Sequence, residues 1–160
     1  MHDLGSPVHA LTFLGAVVDR FGSRARVVLV NKGSATIGGL VAVAFKDRLI
    51  VPWATCLKEH FALCPNMLLY WETIRTACVD GFARFEFGRS TRLSGTYQFK
   101  RQWGAQEEPL FWYRIPIAPH RSSAQSDRSG SRDLLTRMWQ RLPLAVTRQV
   151  GPHIRKYLIQ

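Results

Sequence analysis

The side chains that could do chemistry in this chain are concentrated between Phe85 and Gly104. Arg89, Ser90, Thr91 and Arg92 follow Gly88, and Ser94, Thr96, Tyr97 and Lys100 come next. Tyr97 and Lys100 are three residues apart, so a helix would carry them on one face. Two guanidinium groups beside a helix N-terminus suit an anion or a polarised carbonyl. A phenol could relay a proton, and Glu86 is the carboxylate inside the motif that could act as a base. The same spacing also suits a plain capped helix next to a solvated basic loop, with Glu86 turned outward and paired with an arginine. Both readings stay open on residue types alone.

The elements that would position these groups can be read from the pattern around them. Arg84 to Phe87 alternates polar and aromatic residues, as a half-buried strand does, and Gly88 breaks it. Ser94 stands where a helix N-cap belongs and Gly104 where a glycine just past the C-cap belongs. Upstream, apolar residues at Val8, Leu11, Leu14, Val17, Val18 and Phe21 predict a helix from Pro7 to Phe21, with Ser6 and Pro7 as cap and first residue and Gly22 as its end. Arg26–Val30, Thr36–Phe45 and Arg48–Trp53 predict an antiparallel meander with a turn at Lys46-Asp47. In it, Gly38-Gly39 marks a bulge or a close approach. Asn66 is the expected N-cap of a helix ending at Asp80-Gly81. Its stripe of Met67, Tyr70, Trp71, Ile74 and Cys78 is expected to be core. Glu108–Ile117 reads as a last strand. The order predicts an α+β fold (α/β, three layers) with a mostly antiparallel central sheet flanked by helices.

Composition limits the function classes. The chain has 160 residues, 46% apolar and 21% charged, which describes a globular domain. No apolar run reaches the roughly 18 residues of a membrane span, and no signal peptide pattern is seen. Cys56, Cys64 and Cys78 show no CxxC spacing, so reduced thiols in a cytoplasmic protein and no metal site are expected. His9 and His60 are expected to be surface or packed side chains. The net charge of +11 admits nucleic acid, anionic lipid or a phosphate-rich substrate as partner. Eight Lys/Arg against two Asp lie between His120 and Gln160. Residues 1–118 are expected to form one domain, 119–132 a Ser/Arg-rich flexible linker, and 133–160 a basic amphipathic helical tail. The tail could dock on a partner or lie on the inner face of a membrane.

Three stretches carry a resemblance to a known family. They are Leu63–Glu72 (Leu-Cys-Pro-Asn-Met-Leu-Leu-Tyr-Trp-Glu), Phe85–Thr91 (Phe-Glu-Phe-Gly-Arg-Ser-Thr) and Ser94–Ala105 (Ser-Gly-Thr-Tyr-Gln-Phe-Lys-Arg-Gln-Trp-Gly-Ala). Together with the opening Asp-Leu-Gly-Ser-Pro-Val-His, they resemble FemAB-like GNAT-fold acyltransferases of the type associated with exosortase and exopolysaccharide clusters. The resemblance covers about Met1 to Tyr113. It implies transfer of an acyl or aminoacyl group to an amine or hydroxyl of a cell-envelope or exopolysaccharide precursor. The donor it implies is acyl-CoA or aminoacyl-tRNA, and it implies a second, N-terminal GNAT-like half as partner. Phe99-Lys100 matches a Phe-Lys pair that places a lysine at the reacting carbonyl. On this basis Lys100 is the expected electrophilic stabiliser, with Tyr97 and Glu86 as proton-handling groups. Arg89, Ser90, Arg92, Ser94, Thr96, Asn66 and Tyr70 are the expected substrate contacts. One departure stands out. The Gly-rich loop that usually holds the CoA pyrophosphate is replaced by Leu57–Asn66, which has no glycine. A catalytically inactive interaction module and a basic nucleic-acid-binding protein are the competing expectations.

Overall fold

A computed structural model describes residues 9–111, 113, 138–139, 142 and 144–155. The chain divides into two compact units, one of Val17–Leu110 and one that draws on the chain before Val17 and from Phe111 onward. The first unit holds the candidate chemistry. Its sheet has four strands in the order β1 (Ala25–Lys32), β2 (Ala35–Phe45), β3 (Arg48–Cys56) and β4 (Arg84–Glu86). The first three form the antiparallel meander, and β4 adds parallel to β3. Helix α1 (Leu11–Phe21) precedes the sheet, α2 (Pro65–Val79) links β3 to β4, and α3 (Gly95–Gln102) follows β4. The mixed α+β fold with a mostly antiparallel sheet is the one expected. Helix α1 starts later than its pattern suggested, because His9 and Ala10 are not helical and the Ala10 carbonyl takes the first bonds, from Phe13 and Leu14. The proposed Ser6-Pro7 cap, the linker and most of the 133–142 helix lie outside the described residues. In the second unit, α4 (Leu144–Arg155) is helical and Thr147 is buried.

Two irregularities shape the sheet. Ile37 is an extra residue opposite the Val30/Asn31 step, and its carbonyl accepts the Leu57 N–H at 2.8 Å. Beyond it, Gly38 and Gly39 allow a close approach: a Cβ on Gly38 would sit 2.5 Å from Cys56 Sγ, and one on Gly39 would sit 2.9 Å from Leu29 Cδ2. The second irregularity puts Val51 and Pro52 opposite the single residue Ala42. A proline supplies no ladder donor, and a bulge is one of the few sheet positions that tolerates it.

Helix α2 covers the sheet with Leu69, Tyr70, Thr73 and Ala77, which pack with Leu40, Ala42, Leu49 and Val51. Burying a side chain such as Leu69 or Leu49 stabilises the fold by about 1.5–3 kcal/mol. Thr73 is tolerated there because its hydroxyl donates to the Leu69 carbonyl at 2.6 Å. The stripe expected to be core is therefore only partly so: Tyr70 is buried, but Met67 and Trp71 are exposed. Leu and aromatic residues lie on both sides of this helix, so periodicity could not pick the buried face. The expected last strand is also corrected where it can be seen, since residues 105–111 form no strand.

Gly38→Ala should destabilise the protein by about 1–3 kcal/mol through overpacking, measured as a lower midpoint in urea. Adding Cys56→Ala should recover part of the loss, because the thiol is the closest obstacle.

Candidate active site

Strand β4 starts where the Asp47 carbonyl accepts the Ala83 and Arg84 N–H groups at 2.9 and 3.2 Å. It pairs with β3 over three residues, ending at Ile50 opposite Glu86. Beyond that pair β3 continues to Cys56, and no described strand pairs with it on the β4 side. Gly88 then turns the chain with φ +69°, close enough to β3 that a Cβ would lie 3.1 Å from the Val51 carbonyl oxygen.

Lys100 sits at this parting. Its Nζ donates to the Gly88 and Arg89 carbonyls, both at 2.9 Å. An ammonium has three protons to donate, so two fix the loop and a third remains for another acceptor. Burial pushes the Lys100 ammonium below the ordinary lysine value, yet the two carbonyls favour its charged form. Ser90, the next residue of the loop, has a buried hydroxyl with no partner. The Trp103 indole N–H, one turn beyond Lys100, is buried and unpartnered as well.

Ser94 caps α3 as expected. Its hydroxyl accepts the Tyr97 N–H at 3.2 Å and donates to the Thr91 carbonyl at 2.6 Å, which leaves it to accept from Thr96 Oγ1 at 2.9 Å. Ser94 and Thr96 are thus engaged in closing the helix. Gly104 follows the Trp103 C-cap with φ +75°, the left-handed position that favours glycine. Tyr97 donates its hydroxyl to Glu107. Arg101 Nη1 approaches Glu107 at 3.1 Å and the Tyr97 oxygen at 3.4 Å, and Arg92 Nε lies 3.6 Å from Glu107. The Tyr97 hydrogen bond, followed by Arg101 and Arg92, holds the Glu107 carboxyl below its usual value against desolvation.

Three expected site residues sit in other roles. Glu86 receives Arg48 Nη1 at 2.7 Å, the outward ion pair that sequence left open beside a base. Its bond is the first cause that raises the Arg48 guanidinium. Asn66 is not the cap of α2. Cys64, at φ +50°, holds that position with Pro65 next, and the Asn66 side-chain oxygen accepts the Cys56 thiol at 2.9 Å. Tyr70 is an aromatic anchor. It stacks on Phe87 at 5.4 Å, meets Phe99 edge-on at 5.2 Å, and burial pushes its phenol up. The structure therefore gathers Arg89, Ser90 and Lys100 at the loop and Arg92 and Tyr97 around Glu107, while Glu86 and Asn66 lie apart. Glu107 was missed. The available signal was that Glu107 and Glu108 are the only acids between Glu86 and Asp127.

A parallel β4 that parts from β3 after three residue pairs is the frame of this site, and comparison with known proteins gives its class. Residues 1–101 match the family model for the acetyltransferase (GNAT) domain, and the chain belongs to that family. By class it is an N-acyltransferase. Among solved structures it is similar to AAC(6')-Iy in complex with the bisubstrate analogue CoA-S-monomethyl-acetylneamine, with a TM-score of 0.58 and 14% identity over 72% of this chain and 90% of that one. It is also similar to aminoglycoside 6'-N-acetyltransferase AAC(6')-Ih from Acinetobacter baumannii, with a TM-score of 0.55 and 13% identity over 70% and 84% of the two chains. A third is an aminoglycoside acetyltransferase from an uncultured soil metagenomic sample, with a TM-score of 0.53 and 17% identity over 65% and 74%. At these identities the likeness is one of fold. No curated protein matches the chain. Among the described residues no group of three or more His, Cys, Asp or Glu is placed to hold a metal ion, and no helix is long and apolar enough to cross a membrane.

Because the Glu107 carboxyl is depressed in the fold, its contribution to stability is present above the unfolded carboxyl value and is lost as pH falls through the folded one. Thermal melts from neutral pH into acid should therefore show a shallower loss of stability in Glu107→Gln than in the parent chain.

Proposed function

We propose that the chain transfers an acyl group to an amine or hydroxyl of a cell-envelope or exopolysaccharide precursor, in the manner of FemAB-like enzymes, with Lys100 at the reacting carbonyl. The observation that carries this is the position of Lys100. Its ammonium is bound to the Gly88 carbonyl, and Gly88 lies against Val51 where β3 and β4 stop pairing. Acyl transfer builds negative charge on the carbonyl oxygen, and a fixed donor aimed at that charge is commonly worth about 10²–10³ in rate. The third Lys100 proton and the unpartnered Ser90 hydroxyl are the donors available at this loop. Arg89 and Arg92 supply positive charge for a phosphate or carboxylate of the substrate. Tyr97 relays a proton toward Glu107, to which it is bonded.

The donor is held differently from the usual pyrophosphate cradle. A 3-10 turn, Lys58–Leu63, occupies the segment that precedes α2. Cys64 N–H bonds to the Phe61 carbonyl, Met67 N–H to the Cys64 carbonyl, and Pro65 has no N–H. Few amides remain there to hold two phosphates. AAC(6')-Iy, similar in fold, takes a CoA-containing analogue, which supports acyl-CoA as donor. The +11 charge supports aminoacyl-tRNA, and a donor carried on tRNA needs no pyrophosphate cradle. Residues 1–118 serve as the transferase domain. The linker 119–132 and the basic tail 133–160 bring it to a second GNAT-like half or to the inner face of the membrane.

Incubating the protein with acyl-CoA or aminoacyl-tRNA and an amino-sugar precursor should give a mass-shifted acceptor. Lys100→Met should lower the rate by about 10²–10³ while circular dichroism stays unchanged. Transfer that survives in folded Lys100→Met would remove this lysine from the chemistry. Transfer by neither donor would count against the enzyme reading itself.

A further inference from the structure

Beside the parting of β3 and β4, a buried ring carries a hydroxyl with nothing to bond. Tyr70 is 7% exposed, so it is more than nine-tenths buried. Its ring packs with Phe85, Phe87 and Phe99, yet its hydroxyl has no hydrogen-bond partner among the described residues. An unmet hydroxyl on a buried side chain is costly, and phenylalanine would fill the same space without it. Two more polar groups meet it here. Asn66 stands one turn earlier on the same face of α2, and a helical side chain leans toward the N-terminus of its helix, so the Tyr70 ring leans toward Asn66. The end of β3 brings in Cys56, whose thiol donates to the Asn66 side-chain oxygen at 2.9 Å. Gly38, paired with Cys56, leaves the room for that thiol. Asn66 and Cys56 are half-buried, and Tyr70 lies deeper. The group is electrically neutral. Burial pushes the Cys56 thiol and the Tyr70 phenol up, the thiol adds to the effect on the phenol, and no carboxylate, lysine or arginine contributes to either.

We propose that Tyr70, Asn66 and Cys56 form the subsite for the acyl group, and that they select an acyl chain bearing a neutral hydroxyl. This rests on the acyl-transfer reading with Lys100 at the reacting carbonyl. Lys100 Nζ is bonded to the Gly88 carbonyl, and the chain neighbours of these two residues, Phe99 and Phe87, both touch the Tyr70 ring. An acyl chain whose carbonyl is held by Lys100 therefore has the Tyr70 ring at hand. A hydroxyl on that chain accepts from the Tyr70 O–H or the Asn66 amide and donates to the phenol oxygen or the Asn66 oxygen. An ammonium, as on an aminoacyl group, would lose its water with no carboxylate in its place. A purely aliphatic chain would leave the phenol unmet, and a site with a buried group to satisfy discriminates strongly against the analogue that cannot satisfy it.

Short thioesters test this, because they present the acyl group without CoA or tRNA. Two pairs are titrated into the full chain by NMR: S-3-hydroxybutyryl- against S-butyryl-N-acetylcysteamine, and S-lactoyl- against S-propionyl-N-acetylcysteamine. In at least one pair the hydroxylated member should bind about tenfold tighter or more. Tyr70→Phe keeps the ring packing and removes only the hydroxyl. It should abolish the preference by weakening the hydroxylated ligand alone, and it should raise the urea midpoint of the free chain, since an unmet buried group is gone. A lower midpoint in Tyr70→Phe would show that the hydroxyl is spent inside the fold and would overturn the proposal. So would equal binding within both pairs, or a preference that survives Tyr70→Phe, and each of these leaves acyl transfer standing. If no thioester of either pair binds, the acyl-transfer reading fails and this proposal fails with it.

Discussion

The ring of Tyr70 is the contact on which the rest of the candidate site depends. It projects from α2 into the core, stacks on Phe87 just beyond β4, and meets Phe85 and Phe99 edge-on. One side chain thereby ties the helix before β4, the strand itself and the helix after it. Phe99 next to Lys100 is part of the same aromatic group, and Trp103 extends it. Aromatic pairs of this kind add about 0.5–1.5 kcal/mol each beyond their buried area. The position of the Lys100 backbone follows from its neighbour's packing, and the ammonium then fixes the loop by two carbonyl bonds.

This arrangement separates rigid parts from reactive ones. The cap hydroxyls of Ser94 and Thr96, the Glu86–Arg48 pair and the Cys56–Asn66 bond are all internal connections. Among the described residues of the first unit, groups with capacity left over include Lys100, Ser90 and Trp103, on the stretch from Gly88 to Trp103. In the segment before α2, the His60, Cys64 and Met67 amides are bonded to the Leu57, Phe61 and Cys64 carbonyls.

Much of the fold was legible in the sequence because local chemistry fixed it. The meander followed from β-branched runs and turn residues, and α3 from Ser94 and Gly104. The Gly38-Gly39 pair announced a close approach that the structure realises against Cys56 and Leu29. What could not be read depended on contacts distant in sequence. Which face of α2 is buried is decided by the sheet, since that helix is apolar on both sides. Whether Glu86 serves as a base or an ion-pair partner depends on Arg48, 38 residues away. The role of Asn66 depends on a thiol from β3. Glu107 lay beyond the motif, in a segment with no periodic pattern, and only the folded chain brings it to Tyr97.

Pro52 has a consequence for the opening between β3 and β4. A ladder that continued past Ile50 would next run into the Val51–Pro52 bulge, where one backbone donor is missing altogether. The two strands are thus discouraged from zipping shut along their length, and a stray segment is discouraged from adding there as a fifth strand. The parting of the strands is built in by an exposed imino acid of the chain's own sheet, so it does not depend on a bound molecule to hold them apart.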